Sequence, residues 1–356
     1  MSRRLLTVLA CCLLVATPSA LAASSGDAAG ARAVKHLAAR RSWAQAEIRY
    51  VVNRGLMARS VASFRPTDPL TKGELATLMA GLTNQLPAAV ANPAAPVTVA
   101  QLDARLVKLL GLSTAARTFL DGARAAGLAT PSRFGTETVA RLLGLRTNHP
   151  ARQDDLELLP SDPVTRAETA FSVSKLLHFR GWEAQYAEDA AATFELPRAS
   201  GWQKRVLDTA VRFVGFPYVW GGTSEKPEAP FGIEAPGGFD CSGFIWRIYK
   251  LQSYPGGAAL AATIRGRTTY QMSGEVPKAK RIGFAKLVPG DVLFFGPAGP
   301  RSRPGSIGHA GIYLGGGWMI HSSGQGVAVT PLSGWYRQQF AWGRRPLAEA
   351  GLVGVR

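Results

Sequence analysis

Residues 308–323 leave this chain few choices. Two apolar runs, Gly308-His309-Ala310-Gly311-Ile312-Tyr313-Leu314 and Trp318-Met319-Ile320-His321-Ser322-Ser323, flank the triplet Gly315-Gly316-Gly317. Glycine takes the positive φ of a tight turn without strain. Short runs rich in branched and aromatic residues read as strands. The segment therefore folds as an antiparallel hairpin. With the turn centred on Gly316, Gly311 opposes His321 and His309 opposes Ser323. Side chains alternate between faces along a strand, so His309 and His321 share one face as diagonal neighbours. A glycine opposite His321 leaves room for ring contact. An imidazole in an apolar strand is costly without a partner. The alternative is two unrelated histidines; the other three, His36, His149 and His178, have no such arrangement.

Upstream lies a nucleophile that could use them. The chain has three cysteines, Cys11, Cys12 and Cys241. Cys241 sits in Phe239-Asp240-Cys241-Ser242-Gly243-Phe244, after Gly237-Gly238 and before the apolar period Phe244, Ile245, Trp246, Ile248, Tyr249. A helix should begin there. A thiol in the first turn of a helix meets unpaired N–H groups and the positive dipole end, which favour thiolate. If that helix packs on the histidine face, His309 can accept the thiol proton and His321 can hold its ring in one tautomer. A lone cysteine can equally be a buried structural thiol, and one Cys with two His could in principle ligate zinc. Pro289 to Phe295 reads as a turn and a buried strand, and Val327-Ala328-Val329 as a further strand. A cysteine-bearing helix followed by an antiparallel sheet is an α+β layout. It occupies residues 201–346, with a tail at 347–356.

The chain begins with Arg3-Arg4, an apolar run from Leu5 to Ala16, and Pro18-Ser19-Ala20-Leu21-Ala22. This is the three-part pattern of a secretory leader over residues 1–22. The run is too short to span a bilayer, and no second candidate for a transmembrane segment exists. Removing the leader takes away Cys11 and Cys12, so the exported chain carries one thiol and no internal disulfide. The formal net charge of +17 loses two arginines and becomes +15. A strongly basic exported protein fits an anionic partner such as a wall polymer or membrane surface. No interleaved aromatic-basic motif points to nucleic acid. Hydrophobic content of 46% and charged content of 18% exclude a disordered chain.

Residues 23–40 read as a flexible lead and 41–180 as all-α. Three signatures recur: Pro69-Leu70-Thr71-Lys72-Gly73-Glu74, Pro96-Val97-Thr98-Val99-Ala100-Gln101 and Pro163-Val164-Thr165-Arg166-Ala167-Glu168. Each places Thr three residues before Glu or Gln, the pattern of a capping box at a helix start. Well-capped helices are the plain reading. The units around Trp43 to Glu74 and Phe119 to Glu168 also resemble S-layer homology repeats. That resemblance implies binding to anionic secondary cell-wall polysaccharide, with Lys72 and Arg166 near the ligand. Residues 181–200 carry Ala, acids and Pro without a period and read as an interdomain connection.

Phe216-Pro217-Tyr218-Val219-Trp220-Gly221-Gly222, the Cys241 block, Arg267-Thr268-Thr269, Pro289 to Phe295, His309 to Gly315 and Met319-Ile320-His321 follow one another in order. Together they resemble the NlpC-type cysteine peptidases of bacterial cell walls, a branch of the papain-like group, over about Lys204 to Arg345. The resemblance implies Cys241 as nucleophile, His309 as base and His321 as third polar member. It implies the Tyr218 hydroxyl and the Cys241 amide at the oxyanion, and Tyr218, Asp240 and Ser242 in contact with substrate. No metal or cofactor is implied. The implied substrate is the stem peptide of peptidoglycan, cut between γ-D-glutamyl and a diamino acid by a secreted, wall-associated endopeptidase. A catalytically silent wall-binding protein, and an amidase or transpeptidase on the same scaffold, are the competing readings. The loop 223–238, with Glu225, Lys226, Glu228 and Glu234, is longer than the family spacing and could shape access to the cleft.

Overall fold

The computed structural model describes residues 42–353. The leader over residues 1–22 and the flexible lead over 23–40 lie outside the described residues. The helical part comprises α1 (Gln45–Asn53), α2 (Lys72–Thr83), α3 (Val99–Leu109), α4 (Ser113–Ala125), α5 (Phe134–Leu142) and α6 (Arg166–Leu177). Thr71, Thr98 and Thr165 accept from the third amide of α2, α3 and α6, and the first two complete full capping boxes with Glu74 and Gln101. The cap satisfies one amide that a helix start otherwise leaves without a partner.

The three repeated signatures close on each other as a ring. Leu70 N donates to Val164 O at 2.8 Å, Val164 N to Val97 O at 2.9 Å, and Val97 N to Leu70 O at 2.8 Å. The next amides continue the pattern. Lys72 N and Gly73 N donate to Ala95 O and Pro93 O, Val99 N and Ala100 N to Asp162 O and Pro160 O, and Arg166 N and Ala167 N to Asp68 O and Pro66 O. Each helix start is thus held by the Pro-x-x-Pro loop of the next unit. Leu70, Val97 and Val164 are at most 1% exposed and fill the middle. Burying such a side chain contributes about 1.5–3 kcal/mol, so the ring is held by an apolar centre as well as by its amides.

Residues 181–200 are no passive connection. Trp182–Ala192 forms α7, and Ala187, Ala190, Ala191, Phe194 and Leu196 are buried. Phe194 meets Trp318 edge-on at 4.9 Å, and Trp318 donates its indole N–H to Thr193 O. The carbonyl of Glu195 lies where a side chain on Gly316 would go, so the hairpin turn abuts this segment. The run of alanines lacked an apolar stripe, but a small-residue face is what close packing between two domains uses.

The C-terminal part begins with α8 (Gly201–Arg212), then β1 (Thr223–Ser224), β2 (Gly238–Phe239) and α9 (Cys241–Trp246), which a π-helical turn extends over Arg247–Leu251. Strands β3 (Val292–Phe295), β4 (His309–Gly315), β5 (Trp318–Ser323), β6 (Gly326–Pro331) and β7 (Phe340–Arg344) form an antiparallel sheet in the order β6-β5-β4-β3-β7. The architecture is α+β. Part of the expected tail is folded: Pro346–Glu349 is helical and Leu347 is buried.

The β4–β5 hairpin has the expected register, with Ile312 opposite Ile320 and Tyr313 opposite Met319, and a bulge at Gly315. One face of the sheet carries Phe294, Ala310, Ile312, Ile320, Val327 and Val329, in the same core as Phe244, Ile245 and Ile248 of the cysteine helix. The other face carries Leu293, Phe295 and Met319. By alternation His309 and His321 belong to that second face. The condition that α9 pack on the histidine face is not met: it packs on the opposite one, where the larger apolar surface lies.

Candidate active site

Cys241 still stands near the start of β4, because it opens its helix and that helix packs against the strand that His309 opens. Asp240 caps α9 by accepting from Gly243 N. The cap holds Cys241 in the first turn, beside the start of β4, where the Ala310 amide donates to its sulfur along with that of Ser242. His309 is thus the residue immediately before the sulfur's donor. Ser322, on the helix side of β5, donates to Phe239 O at 2.6 Å and ties the strand to the residues leading into Cys241.

His309 Nε2 and His321 Nδ1 are 2.8 Å apart. The rings cross nearly edge-on, with centroids 5.0 Å apart. A side chain on Gly311 would come within 3.1 Å of the His321 Cβ, so the glycine does make room for the ring opposite it. His321 Nε2 lies 3.0 Å from Thr330 Oγ1 on β6. Tyr336, on the short helix Gly334–Gln339, packs edge-on against His321 with centroids 5.1 Å apart. The imidazole pair is enclosed by Phe295 and Tyr336, while His309 keeps part of its surface open to the cleft.

Burial sets the protonation states. It pushes the Cys241 thiol up to about 12; the Asp240 carboxylate adds to this, and the Ala310 and Ser242 amides and Arg267 offset part. Burial lowers His309 to about 4. It holds His321 well below the ordinary histidine range, with His309 adding. The expectation of a thiolate in the free protein is corrected. A helix start favours the anion, but removal from water disfavours it more strongly. Burial thus opposes charge on the thiol and on both imidazoles.

Tyr218 is held above the ordinary tyrosine range by burial first, then by the charges of Cys241, Asp240 and Asp154. The Asp240 and Ser242 side chains are engaged within the protein. Ser242 Oγ donates to Asp240 Oδ1 at 2.9 Å, and Arg267 reaches Asp240, Ser242 Oγ and the Gly221 carbonyl. Asp240 Oδ2 also accepts from Gly221 N at 3.0 Å. These bonds lock the Gly221-Gly222 turn to the cysteine block. Gly243 is needed there, because a side chain would strike the Gly222 carbonyl.

The helical part reaches this site. Asp154 Oδ2 accepts from Trp220 N at 3.3 Å, two residues from Tyr218. Arg141 donates to Gly215 O and Gln325 O of the C-terminal part. The long loop is stitched to itself: Glu228 accepts from Thr223 N at 2.6 Å and Ser224 N at 3.1 Å, and Glu225 pairs with Arg247 at 2.6 Å. Between loop and helical ring runs a groove bordered by Asp155, Glu157, Asp162, Glu228 and Glu234.

Arg166 does not stand where a polymer could touch it. Its side chain is 3% exposed. Its nitrogens donate to Phe64 O, Met57 O and Glu74 Oε1 at 2.7, 2.5 and 2.6 Å. The guanidinium has a structural use, joining the third repeat to the first, and its expected ligand role is withdrawn. Lys72 remains partly exposed. Thr330 and Asp154 escaped the sequence reading. For Thr330 a signal existed: the glycines at 324 and 326 mark a second tight turn, which places the strand after it beside His321.

Residues 215–345 match the NlpC/P60 family. Over 134 residues the chain is 32% identical to the gamma-D-glutamyl-L-lysine dipeptidyl-peptidase of Bacillus subtilis, a stretch covering 37% of this chain and 36% of that protein. It is 33% identical over 132 residues to the probable peptidoglycan endopeptidase LytE of the same organism, covering 37% of this chain and 30% of that one. A crystal structure of an NlpC/P60 family protein from Bacillus cereus aligns with a TM-score of 0.31 and 29% identity, over 43% of this chain and 42% of that one. The chain thus spans about a third of the length of the curated relatives it matches.

Proposed function

We propose, from the premise that residues 215–345 form an NlpC/P60 domain, that this protein is a cysteine-type peptidoglycan endopeptidase. What supports the reading most is one arrangement. The His309 ring is bound through Nε2 to His321, which leaves Nδ1 free, and the Cys241 helix packs against the strand that His309 opens. Both groups are neutral at rest, so the first step is a proton transfer from Cys241 Sγ to His309 Nδ1 as the sulfur attacks the scissile carbonyl. The oxyanion forms against the Cys241 amide and the Tyr218 hydroxyl. His309 then returns the proton to the departing amine, leaving a thioester. Water, deprotonated by His309, hydrolyses the thioester and restores the thiol.

The likeness to a gamma-D-glutamyl-L-lysine dipeptidyl-peptidase and to a probable peptidoglycan endopeptidase favours stem-peptide bonds next to γ-D-glutamyl residues, with a diamino acid on the amine side. The leader over residues 1–22 would deliver the enzyme outside the cell. Wall retention falls to the helical ring and the excess positive charge, with Lys72 as the basic residue still available to an anionic polymer. One variant tests both halves. Cys241→Ala in the full chain should lose all cleavage of purified muropeptides, read by mass spectrometry, yet still sediment with intact walls. Cleavage at the wild-type rate would end the enzyme reading. Failure to sediment would end the retention reading.

A further inference from the structure

The hydrogen-bond chain does not stop at the two histidines, and its last member bears on its polarity. The three groups are His309, His321 and Thr330, joined by contacts of 2.8 Å and 3.0 Å. Thr330 sits opposite Met319 and Ala328 opposite His321, so Thr330 is the diagonal neighbour of His321 across β5 and β6. It lies on the histidine face for the same reason that the two histidines share it.

Each imidazole has two nitrogens, and one proton shared between them in the neutral ring. Two arrangements of the chain are therefore possible. In the first, His309 carries its proton on Nε2 and donates to His321 Nδ1. His321 must then carry its proton on Nε2 and donate to Thr330 Oγ1. His309 Nδ1 is bare and can take the thiol proton. In the second, every bond is reversed. The Thr330 hydroxyl donates to His321 Nε2, His321 Nδ1–H donates to His309 Nε2, and His309 Nδ1 already holds a proton. That arrangement cannot accept from Cys241.

We propose that Thr330 is a positioning residue that makes the first arrangement possible by accepting the His321 Nε2 proton. The inference rests on the catalytic reading of Cys241 and His309 given above. Thr330 touches no reacting atom and acts through His321. It also stays in its accepting role through the first half of the reaction. When His309 gains the thiol proton, both of its nitrogens carry hydrogen, Nε2 still donates to His321, and His321 still donates to Thr330. No rearrangement of the chain accompanies the transfer. Without an acceptor at 330, His321 would hold a buried N–H without a partner, a penalised state. Its proton would then do better on Nδ1, which forces the unreactive tautomer on His309.

The test compares Thr330→Val with Thr330→Ser. Valine keeps the shape and removes the oxygen; serine keeps the oxygen. Thr330→Val should lower kcat about 10- to 100-fold, the usual cost of losing a partner that orients a functional imidazole, with KM within about twofold because the cleft surface is unchanged. Thr330→Ser should restore most of the rate. Nitrogen-15 NMR of the histidine rings reads the tautomer without any turnover: wild type and Thr330→Ser should show His321 protonated on Nε2, and Thr330→Val on Nδ1. Wild-type rate in Thr330→Val, or equal damage in both variants, would overturn the proposal, as would an unchanged His321 tautomer. If the wild-type chain cleaved no muropeptide, the catalytic reading would fail, while the NMR comparison would still decide whether Thr330 sets the tautomer.

Discussion

Arg166 in the helical ring is 2% exposed and His321 in the NlpC/P60 domain is 1% exposed. Both are ionisable, both are tied into hydrogen-bond chains, and their uses differ. Arg166 stays charged, and each of its nitrogens reaches a carbonyl or the Glu74 carboxylate. All three nitrogens are engaged within the protein. His321 is neutral, because burial outweighs any benefit of charge, and its two nitrogens pass polarity from Thr330 to His309. In the ring, polar groups are buried to join elements. In the NlpC/P60 domain, on the function proposed above, they are buried so that the one nitrogen left over, His309 Nδ1, is a usable base. Burial by itself therefore does not mark a functional residue. What marks one is a buried titratable group whose bonding is incomplete toward a cleft.

That contrast can be broken or sharpened by experiment. The largest stability effect is expected at Arg166. Arg166→Ala leaves the Phe64 and Met57 carbonyls without their donor and Glu74 with only Arg65, and should destabilise the chain by about 3–5 kcal/mol. Thermal unfolding reads this loss, while kcat of the folded fraction should stay as in wild type. A fall in kcat with no fall in melting temperature would mean that Arg166 has a functional role after all.

Acidification should move the two regions in opposite directions. Histidines unfold to an ordinary pKa near 6.5, whereas folded His309 titrates at about 4 and folded His321 well below 6.5. Between those limits the unfolded state binds more protons, so the NlpC/P60 domain loses stability as pH falls from about 6.5 toward 4. Asp103 is raised to about 7 by burial and by Glu137, with Arg146 and Arg141 offsetting, and Glu157 to about 8 by burial, with the His149 amide opposing. Here the folded state binds more protons above the ordinary carboxylate range. The ring therefore gains stability as pH falls from about 8 toward 4. Each group contributes at most about 1.4 kcal/mol per pH unit within its window. Amide hydrogen exchange at Leu102 and Val139 against Ile312 and Ile320 would follow both at once. Parallel responses would contradict this account.

The smallest effect concerns the caps. Thr98→Ala removes the acceptor for Gln101 N and should cost about 1 kcal/mol, read by denaturant unfolding. A much larger loss would show that the closed ring of Pro-x-x-Pro loops amplifies a local defect.

What the sequence could supply was whatever depends on neighbours along the chain. A Thr three residues before Glu or Gln satisfies a helix-start amide wherever the helix goes, so the caps at Thr71, Thr98 and Thr165 were legible. A glycine turn fixes which residues oppose each other, so the His309–His321 pair followed from counting. The packed role of residues 181–200 was not legible, since an alanine-rich face becomes meaningful only when another surface meets it. Four further features belonged to the tertiary structure: the side of the sheet that α9 covers, the burial of Arg166, the reach of Asp154 to Trp220, and the neutral thiol at Cys241. All four depend on which groups are removed from water together. That is set by contacts between segments far apart in sequence, and the same residue in the same local pattern can be a ligand, a brace or a base according to what closes over it.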